Sequence, residues 1–91
     1  MVTAFVLINA SRGKINQVAQ QLADTQGIAE VYSVGGQFDL VAIIRVPDND
    51  TMAELVTDTL STFDGIAKTE TLLAFRAFSQ HDLESMFSIG S

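Results

Sequence analysis

From Thr3 to Ile8 the chain is nearly all apolar, with β-branched and aromatic side chains, the pattern of a strand in the middle of a sheet. Asn9 to Lys14 interrupt it. Ile15, Val18, Ala19, Leu22 and Ala23 then recur at three- and four-residue spacing with polar residues between them, which predicts an amphipathic helix stopping at Gly27. Ile28 to Val34 and Asp39 to Val46 read as the two strands of a hairpin, with Gly35 and Gly36 giving the reversal its backbone freedom. Pro47 to Asp50 form a turn that offers capping groups, and Met52, Leu55, Val56, Thr59, Leu60 and Phe63 line up as a second helix closed by Asp64-Gly65. Thr69 to Phe78 carry the residues of a last strand. Ser79 and Asp82 have capping-box spacing ahead of Leu83, Met86 and Phe87, so 79–91 reads as a short C-terminal helix needing an outside surface, on its own copy or a neighbour's.

The order β-α-β-β-α-β, with right-handed crossovers, predicts an α+β, ferredoxin-like domain over 1–78: a four-stranded antiparallel sheet with both helices on one face, followed by the helical tail. Alternation along the strands sets Ala4, Val6 and Ile8 against Phe5 and Leu7, and Leu40, Ala42, Ile44 and Val46 against Val41 and Ile43. Both faces are apolar. Two helices cover one of them, so the surplus face predicts a homodimer, able to assemble further, instead of a free monomer.

Composition sharpens this. A chain of 91 residues with no cysteine has no disulfide or thiolate metal site to staple a small core, which leaves association as the substitute. A formal charge of −6, from eleven acids against five bases, argues against direct binding of nucleic acid or anionic membranes. The apolar opening segment is too short to span a bilayer and lacks the basic start of a secretory signal, so the expected location is cytoplasmic.

Signatures of catalysis are sparse. Gly35-Gly36 joins two strands and does not lead into a helix, unlike a phosphate-binding loop, and no nucleophile elbow is present. His81, beside Asp82, reads as solvated and lacks clustered ligands for a metal. No catalytic residue, metal or cofactor is expected. The polar residues that interrupt apolar stretches are more informative: Gln37-Phe38-Asp39 where the hairpin enters its second strand, and Lys68 to Thr71 where the last strand begins. Asp39 reads either as a turn carboxylate or, with a threonine hydroxyl and glycine amides, as part of a small-molecule site.

Those same segments resemble the effector-binding domain of the Lrp/AsnC family, the RAM domain. The likeness runs from Val2 to Phe78; Gly36, Gln37, Phe38, Asp39 and Leu40 stand where the family shows a Gly, a variable residue, an aromatic, Asp and a hydrophobic residue, and Thr69 and Thr71 match its threonine pair. Gly35 stands where Thr is common and Phe38 where Tyr is common. The resemblance implies dimers formed by sheet-to-sheet packing, higher assemblies of those dimers, and a small effector, often an amino acid, bound between them. It implies ligand-binding roles for Gly36, Phe38, Asp39, Thr69 and Thr71. With no room for a helix-turn-helix before the first strand, it further implies indirect modulation of transcription, through an effector or a full-length Lrp/AsnC regulator as partner. Two other classes share the expected fold: a small monooxygenase or isomerase of the dimeric α+β barrel type, and a purely structural assembly module.

Overall fold

In a computed structural model, residues 1–79 are described. They form β1 (Val2–Ala10), α1 (Ile15–Ala23), β2 (Ile28–Ser33), β3 (Leu40–Val46), α2 (Asn49–Ala53) and β4 (Ile66–Leu73). The strands make one antiparallel sheet in the order β2-β3-β1-β4, the ferredoxin-like arrangement. The predicted C-terminal helix and His81 lie outside the described residues, and the boundary proposed between 1–78 and the tail falls at their end.

The two apolar strands occupy the centre. β1 and β3 pair from Val2 with Val46 to Ile8 with Leu40, and Ala4, Val6, Ile8, Leu40, Ala42 and Ile44 are wholly buried on one side. Val18 and Leu22 of α1 and Met52 of α2 close over that side, as the helical spacing predicts.

α2 starts where Asp48 Oδ1 accepts the Thr51 N–H at 2.7 Å as an N-cap, and the Thr51 side chain, then its N–H, hold the Asp48 carboxyl below its ordinary range. The helix is not α-wound throughout. Glu54–Thr59 takes π winding and Leu60–Thr62 closes in a 3₁₀ turn. Leu55 and Leu60 are both buried, and a five-residue step keeps two side chains on one side only if the turn between them takes in an extra residue.

Three element limits differ from the sequence reading. The hairpin connection spans residues 34–39 instead of a tight Gly-Gly turn; among its residues Gly36 takes a positive φ of 117°, and Asp39 stands outside β3. β4 begins earlier, at Ile66, because a register shift opposite Asn9 and Ala10 lets the chain after Gly65 join β1 at once. It ends at Leu73 instead of Phe78: the last pair is Ala4 with Leu73, Ala74 N–H donates to Thr3 C=O at 2.9 Å, and β1 itself begins at Val2, too soon to partner a strand reaching Phe78.

The start of β4 is fixed by contact with α1. Ser11 N–H donates to the Gly65 carbonyl at 2.6 Å, and Gly65 is buried against Val18 and Lys14. A Cβ on residue 65 would fall inside contact distance of Val18 Cγ2 and 3.1 Å from Lys14 Cβ. Gly65→Ala is therefore expected to lower stability by about 1–3 kcal/mol through overpacking, read as a lower denaturation midpoint with unchanged slope.

Candidate functional site

At the hairpin end of the sheet, Asp39 is held by three hydrogen bonds. Its N–H donates to the Ile8 carbonyl at 2.9 Å, its carbonyl accepts Val34 N–H at 3.0 Å, and its carboxylate Oδ2 accepts Ala10 N–H at 2.9 Å. The side chain thus takes the place of a strand carbonyl and carries the β1–β3 ladder one step past Leu40. Asp39 is a built-in clamp on the end of β1, not a solvated turn residue. A carboxylate has room for more than one donor, so accepting Ala10 N–H leaves acceptor capacity for another group.

Across β1 lies the second predicted group. Thr69 pairs with Ile8 and Thr71 with Val6, both exposed on β4. Asp39 and Thr69 therefore meet β1 at Ile8 from opposite sides, roughly 10 Å apart at two strand spacings. Gly36 is exposed in the hairpin connection, and Phe38 in the same connection is half-buried. The five residues make an arc over one end of the sheet, with Asp39 and Thr69 nearest each other through β1 and Thr71 two pairs farther in.

The arc is open. A concavity of about 220 Å³ between the second helical segment and β4 reaches Thr69 and Lys68, with Val56, Leu60 and Phe63 behind them. A larger one, about 560 Å³, lies at the far end of the sheet around Gly27, Val46, Leu55 and Thr59, away from the predicted residues. The smaller one is bordered by Lys68 and Thr69 of β4, and of the five predicted residues Thr69 alone lines it.

One polar group escaped the sequence reading. On the sheet face opposite the helices, the Tyr32 hydroxyl donates to Glu30 Oε2 and Arg45 Nη1 lies 3.4 Å from Glu30 Oε1. The Tyr32 bond holds the Glu30 carboxyl below the ordinary glutamate range, with Arg45 adding to it, and the same bond raises the Tyr32 phenol. Its signal in the sequence was the alternation Glu30, Tyr32 opposite the lone charge Arg45 in an apolar strand. Among the described residues, no cluster of His, Cys, Asp or Glu is arranged to hold a metal, and no helix is long and apolar enough to cross a membrane.

Sheet order and helix placement define a ferredoxin-like α+β module. The chain belongs to the Lrp/AsnC family: the profile of the Lrp/AsnC ligand binding domain matches residues 3–83. Among its relatives, the HTH-type transcriptional regulator FL11 of Pyrococcus furiosus is 28% identical over 79 residues, which cover 87% of this chain and 52% of FL11. The chain spans about half the length of such relatives. The crystal structure of TTHA0845 from Thermus thermophilus superposes with a TM-score of 0.82 at 41% identity, covering 88% of this chain and all of that one (100%). The transcriptional regulator NMB0573 of Neisseria meningitidis, solved as an L-Met complex, shares the fold at 14% identity with a TM-score of 0.78, over 87% of this chain and 53% of that one.

Two outcomes test this geometry. Asp39→Ala should cost about 1–2 kcal/mol by leaving Ala10 N–H without its partner, and Asp39→Asn, whose amide oxygen still accepts, should cost less; chemical denaturation of both variants measures the difference. For Tyr32→Phe, the Glu30 carboxyl should titrate at higher pH than in the parent, read from its carboxyl carbon by NMR. A depressed Glu30 value stabilises the fold above its unfolded value of about 4.3 and loses that contribution as pH falls through the folded value, so the variant should be less sensitive to acid in that window.

Proposed function

We propose that this chain is a non-enzymatic, oligomeric effector-binding module that takes an amino acid or a similar small zwitterion at the hairpin end and modulates transcription indirectly. The observation that carries the reading is the Asp39 clamp: a carboxylate fixed on the end of β1 with acceptor capacity left over, opposite Thr69, inside the family's ligand binding domain. The ammonium of the effector meets Asp39, and hydroxyls at Thr69 and Thr71, the Gly36 backbone and the Phe38 ring complete its surroundings from the arc, closed by a second copy. NMB0573, solved with L-Met, supports the ligand class, and the regulators among the relatives support the regulatory role.

Dimerisation follows from the face the helices leave open. Phe5, Leu7, Tyr32, Val41, Ile43 and Leu72 share that face, and several are one third to one half exposed: Phe5 at 37%, Tyr32 at 48% and Leu72 at 49%. Burying such an area against a second sheet removes apolar surface from water at about 25 cal/mol per Å². We read this as the homodimer interface. A full-length Lrp/AsnC regulator presenting the same face is the second partner this reading allows, and it would bring the DNA-reading part that an acidic module does not supply. The chain itself is expected to retain no specific DNA fragment at physiological salt.

The experiment is calorimetric titration with the twenty common L-amino acids, beginning with L-methionine, on the parent, Asp39→Asn and Thr69→Val. One or more should bind the parent, with affinity weakened about ten- to a hundredfold in Asp39→Asn, the worth of a charge-assisted hydrogen bond, and less in Thr69→Val. Binding of none of them, or equal affinity in all three proteins at equal oligomeric state, would sink the effector reading. In parallel, Ile43→Asp should dissociate the dimer by placing a charge in the paired face while leaving the subunit folded; an unaltered sedimentation profile would show that another surface joins the copies.

A further inference from the structure

The larger concavity, at the end of the sheet away from the hairpin, takes no part in the effector reading. Its volume of about 560 Å³ is that of a small-molecule site, for which roughly 300–1,000 Å³ is usual. Val46 and Leu55, 2% and 6% exposed, form an apolar base together with Gly27. Arg45 N–H donates to the Gly27 carbonyl at 3.0 Å, which fastens the loop after α1 to the end of β3. Gly27 stands at a φ of 98°, and a Cβ there would come 3.1 Å from Val46 Cγ1 and 3.5 Å from Leu55 Cδ2, so only glycine lets the loop lie on this base without strain.

The second helical segment supplies the wall. Glu54 and Thr59, the first and last residues of the π stretch, both border the concavity. In an α-helix a five-residue step would leave two side chains roughly 140° apart around the axis. The wider turn brings Glu54 and Thr59 to one side, as it does Leu55 and Leu60, so the winding that buries the leucines also sets a carboxylate and a hydroxyl over the apolar base. Single π turns of this kind occur frequently at functional sites. Gln26 borders the same space from the loop after α1. Thr51 does so as well, but its N–H and side chain are already committed to Asp48.

Charge narrows what the space can hold. Among the described residues the one ion pair is Arg45 with Glu30, on the sheet face opposite the helices, and the Glu54 carboxylate has none. The sequence from Val46 to Ala67 contains no Lys, Arg or His, so this segment carries no cation of its own to neutralise Glu54. Arg45, the basic side chain at the border, turns its guanidinium to Glu30 and away from the base.

We propose that this concavity is a second binding site, for a small organic ammonium ion with a compact apolar body. The body rests on Val46 and Leu55, and the charged nitrogen donates to Glu54, with the Thr59 hydroxyl and the Gln26 amide oxygen as further acceptors. A free carboxylate on the ligand would meet Glu54 without a cation to offset it, and a neutral molecule would leave that charge unused. The site therefore differs in ligand class from the one at Asp39, which lies at the other end of β3, roughly 20 Å away along the strand.

Three probes of similar shape and different charge test the class: phenethylamine, 2-phenylethanol and 3-phenylpropionate, each titrated into the full chain while backbone amide signals are followed by NMR. Phenethylamine should shift the signals of Gly27, Leu55 and Thr59 saturably, with an affinity on the order of tenfold above that of the alcohol, and 3-phenylpropionate should bind more weakly than either. Glu54 is exposed, so Glu54→Gln should keep the fold while lowering phenethylamine to the affinity of the alcohol. Glu54→Lys should reverse the order in favour of 3-phenylpropionate. Equal affinities for the three probes, a phenethylamine affinity that Glu54→Gln leaves unchanged, or shifts confined to residues 34–39 and the start of β4 would overturn the proposal. The amino-acid titrations are repeated on Glu54→Gln and should match the parent, so the two sites stand or fall on separate signals.

Discussion

The structure depends on one constraint: the two central strands, β1 and β3, are apolar on both sides, and the chain has helices for one side only. Among the described residues, the buried apolar core, from Ala4 to Leu60, belongs to the side that α1 and the second helical segment cover. The price of this arrangement is an exposed row running from Tyr32 through Val41 to Leu7, and a second from Ile43 through Phe5 to Leu72. Polar residues stand at its borders, Glu30 and Arg45 on one side and Lys68 and Glu70 on the other, and none in its middle. An area so edged suits a surface that is dry when paired and has its direction set at the rim.

Elements with regular periodicity were legible from the sequence, and their limits were not. The alternation in β1 and β3 specified which side chains are buried, because a one-residue slip would have exposed Val6, Ile8, Leu40 and Ile44 together. Helical spacing likewise identified Val18 and Leu22. What periodicity does not encode is where a neighbour ends. Thr69 to Phe78 has the composition of a strand throughout, but β4 stops at Leu73, and β1, which begins at Val2, is too short to partner a strand reaching Phe78. The π winding at Glu54–Thr59 was hidden for a related reason: the step from Leu55 to Leu60 reads as ordinary helix until the sheet shows which way both must point.

The site was legible in its residues more than in its geometry. Phe38, Asp39, Thr69 and Thr71 lay in segments that interrupt apolar runs at strand ends, the family resemblance added Gly36, and the fold brings the two groups to the same end of the sheet. Sequence offered two readings for Asp39, a turn carboxylate or a ligand-binding one. The bond from Ala10 belongs to neither, since it joins residues 29 positions apart that become neighbours only when β1 and β3 align. Glu30, Tyr32 and Arg45 were missed because the pairing of Glu30 with Ile43 follows the shift in register after Ile28, which no local pattern announces.

That bond also bears on how a ligand would act. β1 lies between β3 and β4 and is held at its hairpin end by Asp39 on one side and, through Ser11 and Gly65, by the entry to β4 on the other. Under the proposed reading, an ammonium at Asp39 competes for electron density with Ala10 N–H, and any adjustment of that bond falls on the strand that sets the position of β4. The strand reached in this way carries Thr69 and Thr71 at one end and, among the described residues, forms one edge of the sheet along its length. Binding and assembly would then share one mechanical element without a separate moving domain. Linkage requires the converse in equal measure: an assembly that fixes β4 alters the affinity at Asp39 by the same factor that the ligand alters assembly. Replacing the carboxylate therefore changes two quantities at once, the affinity directly and the coupling through β1, and only measurements at matched oligomeric state separate them.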